Sequence, residues 1–396
     1  MSLNETVSAD RVHIAFFGKR NAGKSSLVNA VTGQSLAVVS DVKGTTTDPV
    51  KKAMELLPIG PVMIIDTPGF DDEGDLGDLR VKKTKEVLAK TDVAVLVVDA
   101  TADIGKEEND FLALVKNKDI PVITVFNKAD LVNERKTDAF YVSANSGEGV
   151  NELKEKLGSL AKTRENTRRI ISDLISEGDI VVLVTPIDES APKGRLILPQ
   201  QQTIRDILDA HCAVLVTQVE QLASLLCMLK EPPKMVVTDS QAFGKVSKIV
   251  PESIPLTSFS ILFARYKGDL VTQVKGAAAL SKLCDGDRIL ISEGCTHHRQ
   301  CGDIGTVKMP MWIEKFSGAK IEYDFTSGGE FPEDLEKYKL IVHCGGCMLN
   351  EAQMKSRIES ARLANVPIVN YGVAIAHMNG ILRRSLELFE DVYKLI

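Results

Sequence analysis

A loop suited to binding phosphate lies close to the N-terminus of this 396-residue chain. Residues 18–25 read Gly-Lys-Arg-Asn-Ala-Gly-Lys-Ser, between an apolar run typical of a β-strand and a stretch typical of a helix. Glycines let backbone N–H groups approach phosphate oxygens, and the N-terminus of the following helix favours an anion. In such a loop the lysine reaches the β- and γ-phosphates of a nucleotide, and the last hydroxyl binds Mg²⁺. The predicted phosphate-binding residues are Gly18, Asn21, Ala22, Gly23, Lys24, Ser25 and Ser26.

Further motifs follow later apolar runs and define the nucleotide. In residues 66–69, Asp-Thr-Pro-Gly, we expect Asp66 to hold Mg²⁺ through water and Gly69 to sense the γ-phosphate. In residues 127–130, Asn-Lys-Ala-Asp, the carboxylate can accept the N1–H and 2-amino groups of guanine, which adenine does not offer. A later Ser-Ala-Asn segment supplies a backbone contact to the guanine O6. The order and spacing of these motifs predict GTP rather than ATP, bound by Asp66, Gly69, Asn127, Lys128, Asp130, Ser143 and Ala144.

A second group of residues that could do chemistry lies in the last third of the chain. Cys-Thr-His at residues 295–297 and His-Cys-Gly-Gly-Cys at residues 343–347 each follow an apolar strand. If these strands are parallel neighbours, their carboxyl ends converge, so that the thiols of Cys295, Cys344 and Cys347 meet in one crevice. Three cysteines with a histidine suit a tetrahedral zinc site. Three cysteines with an undetermined fourth partner suit an iron–sulfur cluster, and inert buried thiols are a third alternative.

The pattern between these motifs predicts an α/β fold. Short β-rich runs alternate with amphipathic helical stretches, which favours mostly parallel sheets covered by helices. We expect an N-terminal Ras-like P-loop domain at residues 1–165, a middle α/β domain at 166–262 and a third α/β domain at 263–396. The charged stretch 162–175 is predicted as a helical linker, and one long helix is predicted at the C-terminus.

Composition restricts the class of protein. The net charge is −6, so the composition does not indicate a surface that binds nucleic acid, and we expect no nucleic-acid partner. The first apolar run, residues 12–17, is far too short to span a bilayer and lacks the layout of a signal peptide, so we expect a cytoplasmic protein without a membrane partner. All seven cysteines lie after residue 210, and in the cytoplasm they do not indicate disulfides. We expect Cys212, Cys227 and Cys284 to be buried apolar residues.

The first third resembles the tRNA-modification and Era-like GTPases. Residues 44–48, Gly-Thr-Thr-Thr-Asp, match the switch I pattern of that group, and the resemblance assigns Thr46 to Mg²⁺ and the γ-phosphate. It also implies a K⁺ ion held by Asn21, whose charge would face the transition state. The catalytic residues are thus predicted to be Lys24, Thr46 and Gly69. Phe70 stands where Ras-type enzymes carry a glutamine that orients water, which predicts slow intrinsic hydrolysis.

The whole chain resembles the [FeFe]-hydrogenase maturation GTPases. A GTPase segment, a middle segment and a Cys-x-His … His-Cys-x-x-Cys pattern together carry this resemblance. It implies that Cys295, Cys344 and Cys347 bind a [4Fe–4S] cluster, with His297 and His343 as further candidate ligands. It also implies a homodimer formed through the middle domain. The GTPase would be a scaffold that receives a diiron precursor from two radical-SAM maturases and delivers it to the [FeFe]-hydrogenase apoprotein.

Two alternatives remain open from the residues. One is an Era-like GTPase associated with RNA or the ribosome that carries a structural zinc site. The other is a redox-sensing GTPase, in which the cluster controls hydrolysis and delivers nothing.

Overall fold

The computed structural model describes residues 11–33, 49–57, 59–69, 83–165, 169–186, 196–294, 303–346 and 348–395. The chain forms two compact units, Met1–Arg168 and Arg169–Ile396. Within the described ranges, no helix is both long and apolar enough to cross a membrane.

A six-stranded sheet is the centre of the first unit. Its strands are β1 (Val12–Phe17), β2 (Val50–Leu56), β3 (Gly60–Asp66), β4 (Val93–Asp99), β5 (Val122–Asn127) and β6 (Phe140–Tyr141). They lie in the order β2-β3-β1-β4-β5-β6, and every neighbouring pair is parallel except β2 with β3. Strand β1 is buried on both faces: Ile14 and Phe16 enter one core, whereas Ala15 and Phe17 enter the other. Such double burial explains why its sequence is a continuous apolar run.

Helices cover this sheet and pack apolar residues against it. The first unit contains α1 (Lys24–Thr32), α2 (Lys106–Asn117), α3 (Val150–Glu165), a 3₁₀ turn at Ala129–Leu131 and helical residues 83–88. Leu27 of α1 and Leu153 of α3 lie in the same core as Ile14, while Phe111 of α2 lies in the opposite core. The predicted mixed α/β fold with a P-loop domain at its N-terminus is confirmed.

Two four-stranded parallel sheets organise the second unit. The middle sheet contains β7 (Ile180–Val184), β8 (Ala213–Thr217), β9 (Met235–Thr238) and β10 (Leu256–Ser258), in the order β10-β9-β7-β8. The C-terminal sheet contains β11 (Arg288–Ser292), β12 (Glu322–Thr326), β13 (Leu340–His343) and β14 (Ile368–Asn370), in the order β12-β11-β13-β14. The further α/β segments predicted after the P-loop domain are therefore present.

The helices of the second unit join both sheets into one core. They are α4 (Leu198–Asp209), α5 (Val219–Met228), α6 (Phe243–Ile249), α7 (Phe259–Lys267), α8 (Leu270–Ala277), α9 (Met309–Ser317), α10 (Glu351–Leu363), α11 (Tyr371–Met378), α12 (Leu382–Ser385) and α13 (Glu390–Tyr393). A π-helical turn at Ile304–Lys308 and 3₁₀ turns at Ala278–Lys282 and Leu335–Lys337 complete the unit. Val181 of the middle sheet and Ile289 of the C-terminal sheet belong to the same apolar cluster.

The two sheets of the second unit repeat one topology and one register. In each, the first strand lies between the second and the third, and the fourth strand is at the edge beside the third. The last row of the middle sheet pairs Thr217, Val184, Thr238 and Ser258. The corresponding row of the C-terminal sheet pairs Thr326, Ser292, His343 and Asn370. Both first strands also follow an acidic-Gly-Asp turn, in which Gly178 and Gly286 adopt φ values of 88° and 84°.

Two expectations about helices were wrong. Residues 170–175 are not a helical linker, because the carboxylate of Asp206 accepts the backbone N–H groups of Ile170, Ile171 and Ser172, and both isoleucines are buried in the second unit. The C-terminal segment is not one long helix. It breaks after α11 at Gly380, whose φ of 70° lies in the left-handed region that favours glycine, and the short helices α12 and α13 follow.

Candidate functional site

The phosphate-binding loop connects β1 to α1. Asn21 and Gly23 have φ values of 61° and 85°, and such left-handed residues are common in loops whose backbone N–H groups bind anions. Lys24 is buried, and its Nζ donates hydrogen bonds to the carbonyl oxygens of Gly18 at 3.0 Å and Lys19 at 2.7 Å. These bonds hold the ammonium group over the loop, where it would meet phosphate oxygens.

Two of the three predicted Mg²⁺ ligands, Ser25 and Asp66, lie together near the carboxyl ends of β1 and β3. The hydroxyl of Ser25 donates to Oδ2 of Asp66 at 2.6 Å. Asp66 is 2 % exposed, and its Oδ1 has no hydrogen-bond partner among the described residues. Burial raises the pKa of Asp66, and the Ser25 hydrogen bond and the charge of Lys24 offset this only in part. A buried carboxylate with a free oxygen beside a hydroxyl suits a divalent cation.

The guanine motif is tied to the phosphate loop through Asn127. Its Nδ2 donates to the carbonyl oxygens of Ala22 at 3.0 Å and Gly23 at 3.3 Å, and its Oδ1 accepts the N–H of Ala144 at 3.1 Å. One side chain therefore joins the phosphate loop to the segment predicted to contact the guanine O6.

The other residues of the guanine motif are also held in place. Asp130 accepts a 2.6 Å hydrogen bond from the buried hydroxyl of Ser143. Lys128 has a φ of 65°, and its Nζ lies 2.5 Å from the carboxylate of Asp99 at the end of β4. Burial alone would raise the pKa of Asp99, but hydrogen bonds from Lys128 and Thr101 outweigh burial and lower it. Sequence reasoning missed Asp99, which follows a continuous apolar strand without a recognised motif.

An ion pair behind the phosphate loop was also missed. Nζ of Lys19 lies 2.8 Å from the carboxylate of Glu108, which is buried and also accepts the N–H of Gly105. The hydrogen bond to Glu108 is the main cause of a raised Lys19 pKa. The pair fixes the second residue of the loop to the N-terminus of α2.

The second candidate site lies at the carboxyl ends of β11 and β13, which are parallel neighbours. The buried Cys344 follows β13, and its N–H donates to the Ser292 carbonyl at 3.0 Å. Its sulfur accepts N–H groups from Gly294 at 3.0 Å and Gly346 at 3.3 Å. A cysteine sulfur at the carboxyl end of a central strand that accepts two backbone N–H groups fits a ligand of an iron–sulfur cluster.

Glycine is required at one position of this cysteine loop. Gly346 has a φ of 63°, and a Cβ there would lie 2.6 Å from the sulfur of Met354. A Cβ on Gly345 would meet no described atom within 4 Å, so that side of the loop is open. The loop therefore has room for a side chain at Gly345 but not at Gly346.

Several predicted site residues lie outside the described part of the chain, and their roles stay predictions. They are Thr46, Cys295, His297 and Cys347. In the described part, no group of three or more histidine, cysteine, aspartate or glutamate side chains is placed to hold a metal ion. His343 is described and is buried beside Cys344.

The expectation that Cys212, Cys227 and Cys284 are buried was correct only for Cys212. Cys227 is exposed because it lies on the outer face of α5, whose buried residue is Leu222. Cys284 is exposed in the turn before β11, where its N–H donates to Asp287.

Sequence reasoning also missed Arg357, which is buried behind Cys344 and His343. Its Nη1 lies 2.8 Å from Nε2 of His343 and 3.1 Å from the Ser292 hydroxyl. The sequence contained a signal: Arg357 falls within the buried stripe Met354, Ile358 and Ala361 of α10, where an arginine needs buried acceptors.

The nucleotide loop, the paired Ser25 and Asp66, and the guanine motif at the ends of parallel strands define the first unit as a P-loop GTPase domain. Residues 13–128 match the family model described as 50S ribosome-binding GTPase. Residues 170–268 match the hydrogen maturase F dimerization domain, and residues 271–388 match the hydrogen maturase F tetramerization domain. The chain belongs to the hydrogen maturase F family.

Curated relatives resemble the first unit. GTPase Der of Kosmotoga olearia is 32 % identical over 175 residues, which are 39 % of this chain and 39 % of that protein. The tRNA modification GTPase MnmE of Thiobacillus denitrificans is 39 % identical over 148 residues, 36 % of this chain and 32 % of that protein. The chain thus spans less than half the length of these relatives. Among solved structures, Era of Aquifex aeolicus is 20 % identical with a TM-score of 0.35, covering 52 % of this chain and 92 % of that one.

Proposed function

We propose that the chain is a GTP-hydrolysing scaffold that carries a [4Fe–4S] cluster and assembles or delivers the diiron precursor of the [FeFe]-hydrogenase active site. The observation that carries this proposal is the position of Cys344 in a chain of the hydrogen maturase F family. Its sulfur lies at the carboxyl end of β13 and accepts hydrogen bonds from two backbone N–H groups. The partners would be the apo-hydrogenase and two radical-SAM maturases.

The nucleotide site would act as a switch. GTP would lie across the loop of residues 18–25, with Lys24 on its β- and γ-phosphates and Asp130 on its guanine. Ser25, Asp66 and Thr46 would hold Mg²⁺, and Gly69 would sense the γ-phosphate.

Potassium would take the place of an arginine finger in this site. Asn21, which has a left-handed backbone in the phosphate loop, is the proposed K⁺ ligand. Hydrolysis should rise severalfold when K⁺ replaces Na⁺, and Asn21→Ala should abolish the difference. An equal rate in both salts would remove K⁺ from the proposal without affecting GTP binding.

The cluster would be held by Cys295, Cys344 and Cys347. When bound, it supplies a redox-active iron–sulfur centre to which a precursor can attach. The chain itself contributes the thiolates, the N–H groups of Gly294 and Gly346 that stabilise negative sulfur, and a buried environment at Cys344.

The proposed division into a GTPase domain at 1–165, a middle domain at 166–262 and a cluster domain at 263–396 assigns assembly to the second and third segments. The two matched families support oligomerisation, since one is a dimerization domain and the other a tetramerization domain. We expect a homodimer through the middle domain, and light scattering at several concentrations would show whether tetramers also form.

Anaerobic metal analysis of the full chain tests the proposal. Reconstitution with iron and sulfide should give about four irons per chain, with the EPR signal of a reduced cluster. Serine variants of Cys295, Cys344 and Cys347 should each lose it, whereas Cys227→Ser, at an exposed cysteine, should not. One tightly bound zinc and no uptake of iron would refute the cluster and favour the zinc alternative.

Cluster loading also separates the scaffold from the redox sensor. We expect GTP turnover to be the same with and without the cluster. A large change in turnover would favour the sensor.

A further inference from the structure

The guanidinium of Arg357 is buried, and its hydrogen-bond partners among the described residues are all neutral. In addition to Ser292 and His343, it donates to the carbonyl oxygens of Gly328 at 2.6 Å and Glu330 at 3.3 Å. Burial lowers its pKa to about 10, and the charge of Cys344 acts in the opposite direction. Burying a cation without a carboxylate in hydrogen-bond contact costs stability, so the position calls for a reason beyond packing.

The hydrogen bonds of His343 define a single tautomer. Nδ1 lies 2.6 Å from the carbonyl oxygen of Cys344, which can only accept, so Nδ1 carries the proton. Nε2 lies 2.8 Å from Nη1 of Arg357, which can only donate, so Nε2 is an acceptor. Both ring nitrogens are therefore occupied, and neither is free to bind a metal.

The repeated sheet topology within the second unit shows that such a sheet forms without the hydrogen bonds among Arg357, His343 and Ser292. Val184 and Thr238 of the middle sheet occupy the row positions that Ser292 and His343 occupy in the C-terminal sheet. Val184 and Thr238 are fully buried, and the strand pairing is the same. The middle sheet therefore has the same strand arrangement without the imidazole. The hydrogen bonds among Arg357, His343 and Ser292 occur in the sheet in which Cys344 follows a central strand.

We propose that Arg357 is a positioning residue of the cluster site. Its hydrogen bond occupies Nε2 of His343 while the carbonyl of Cys344 holds the Nδ1 proton, so that His343 orients the peptide of Cys344 instead of binding iron. Its positive charge also compensates the negative charge that the Cys344 thiolate brings into the buried site. This inference rests on the proposed cluster, but its first part can be measured without one.

The first measurement is ¹⁵N NMR of the imidazole rings in the metal-free full chain. The protein has six histidines, and the difference spectrum of His343→Gln assigns the relevant ring. We expect the proton of His343 on Nδ1 in wild type, and a changed Nε2 signal in Arg357→Met, because that nitrogen loses the donor that faces it. A proton on Nε2 in wild type, or the same His343 spectrum in both proteins, overturns the proposal whether or not the variant binds iron.

The second measurement is the reduction midpoint potential of the reconstituted cluster, followed by EPR. A nearby cation favours the more negative reduced cluster, so Arg357→Met should have a lower potential than wild type. Arg357→Lys keeps the charge but cannot make the same set of hydrogen bonds, so its potential should stay near wild type while its His343 signals change. Arg362→Met is the matched control, because it removes an exposed arginine from the same helix and should change neither readout.

The outcomes also separate this inference from the proposed function. A wild-type chain that takes up no iron refutes the cluster and the charge role with it. Normal iron uptake with ¹⁵N coupling of a ligated His343 in the reduced cluster overturns the inference and leaves the cluster intact. A purely structural arginine would lower the unfolding temperature of Arg357→Met but leave the potential of its remaining cluster at the wild-type value.

Discussion

Replacing Asn127 by aspartate tests whether this side chain joins the two halves of the nucleotide site. The change keeps the shape and the acceptor for the N–H of Ala144, but it replaces Nδ2 by an oxygen that faces the carbonyls of Ala22 and Gly23. Two hydrogen bonds are lost, at about 1 kcal/mol each. Asn127 is 2 % exposed, so repulsion between the new oxygen and the carbonyls is poorly screened and adds about 1 kcal/mol.

We therefore expect Asn127→Asp to weaken GTP binding by about 30- to 150-fold, equivalent to about 2–3 kcal/mol. Titration with a fluorescent GTP analogue measures this, and urea unfolding of the nucleotide-free chain shows how much of the loss is already present before binding. Asn151→Asp makes the same chemical change at an exposed position in the first turn of α3 and should alter either value by less than about 0.5 kcal/mol. An Asn127→Asp chain with an affinity within about threefold of wild type would show that the loop holds its shape without this bridge.

Three further variants test other parts of the chain. Burial raises the pKa of Asp66, so protonation of this carboxylate stabilises the fold at acid pH, and that contribution is lost as pH rises through the folded pKa. Asp66→Asn should therefore raise the unfolding temperature of the metal-free chain at pH 7. The same variant should reduce Mg²⁺-dependent GTP hydrolysis at least about tenfold. Gly346→Ala should lower iron uptake at least about twofold and Gly345→Ala should not, because only the first methyl group meets a methionine sulfur; equal uptake by both would contradict the described loop. Gly276→Ala should destabilise the second unit by about 1–3 kcal/mol in urea unfolding, since its Cβ would overlap the backbone carbonyl oxygen of Ile368, whereas Gly244→Ala, also in a helix, should be neutral or slightly stabilising.

The parts of the fold predicted correctly are those whose signal is local. The segments predicted as strands before the phosphate loop and before Cys295 are β1 (Val12–Phe17) and β11 (Arg288–Ser292), because apolar segments bounded by turns leave few alternatives. The nucleotide motifs were also readable, since each follows such a strand and the carboxyl ends of parallel strands share an edge. The predicted roles of individual site residues await the experiments above.

The parts that were missed depend on distant partners. Strand β2 has an exposed pattern and exists because it pairs with β3 across the whole of its length. Strand β10 has three residues and is defined by pairing with β9. Arg357 gives a weak signal in sequence because its acceptors come from three other segments. The repeat of the two sheets was detectable in the sequence. Residues Ile254–Leu270 and Val366–Leu382 share one pattern: an apolar residue and a proline, then a short strand, a capping residue and a helix that ends near a glycine.

The repeat separates what the fold requires from what a site requires. Both sheets place a short helix directly after their fourth strand, capped by Ser258 in the first copy and Asn370 in the second. The helices also meet at equivalent positions, because a Cβ on Gly372 would overlap that of Ser260, so a glycine in one copy accommodates the serine of the other. Features present in both copies are therefore attributed to the stability of the fold. The thiol of Cys344 and its imidazole neighbour occur in one copy only, so we attribute them to a site, and their position at the carboxyl ends of the two central strands is where parallel sheets bind ligands.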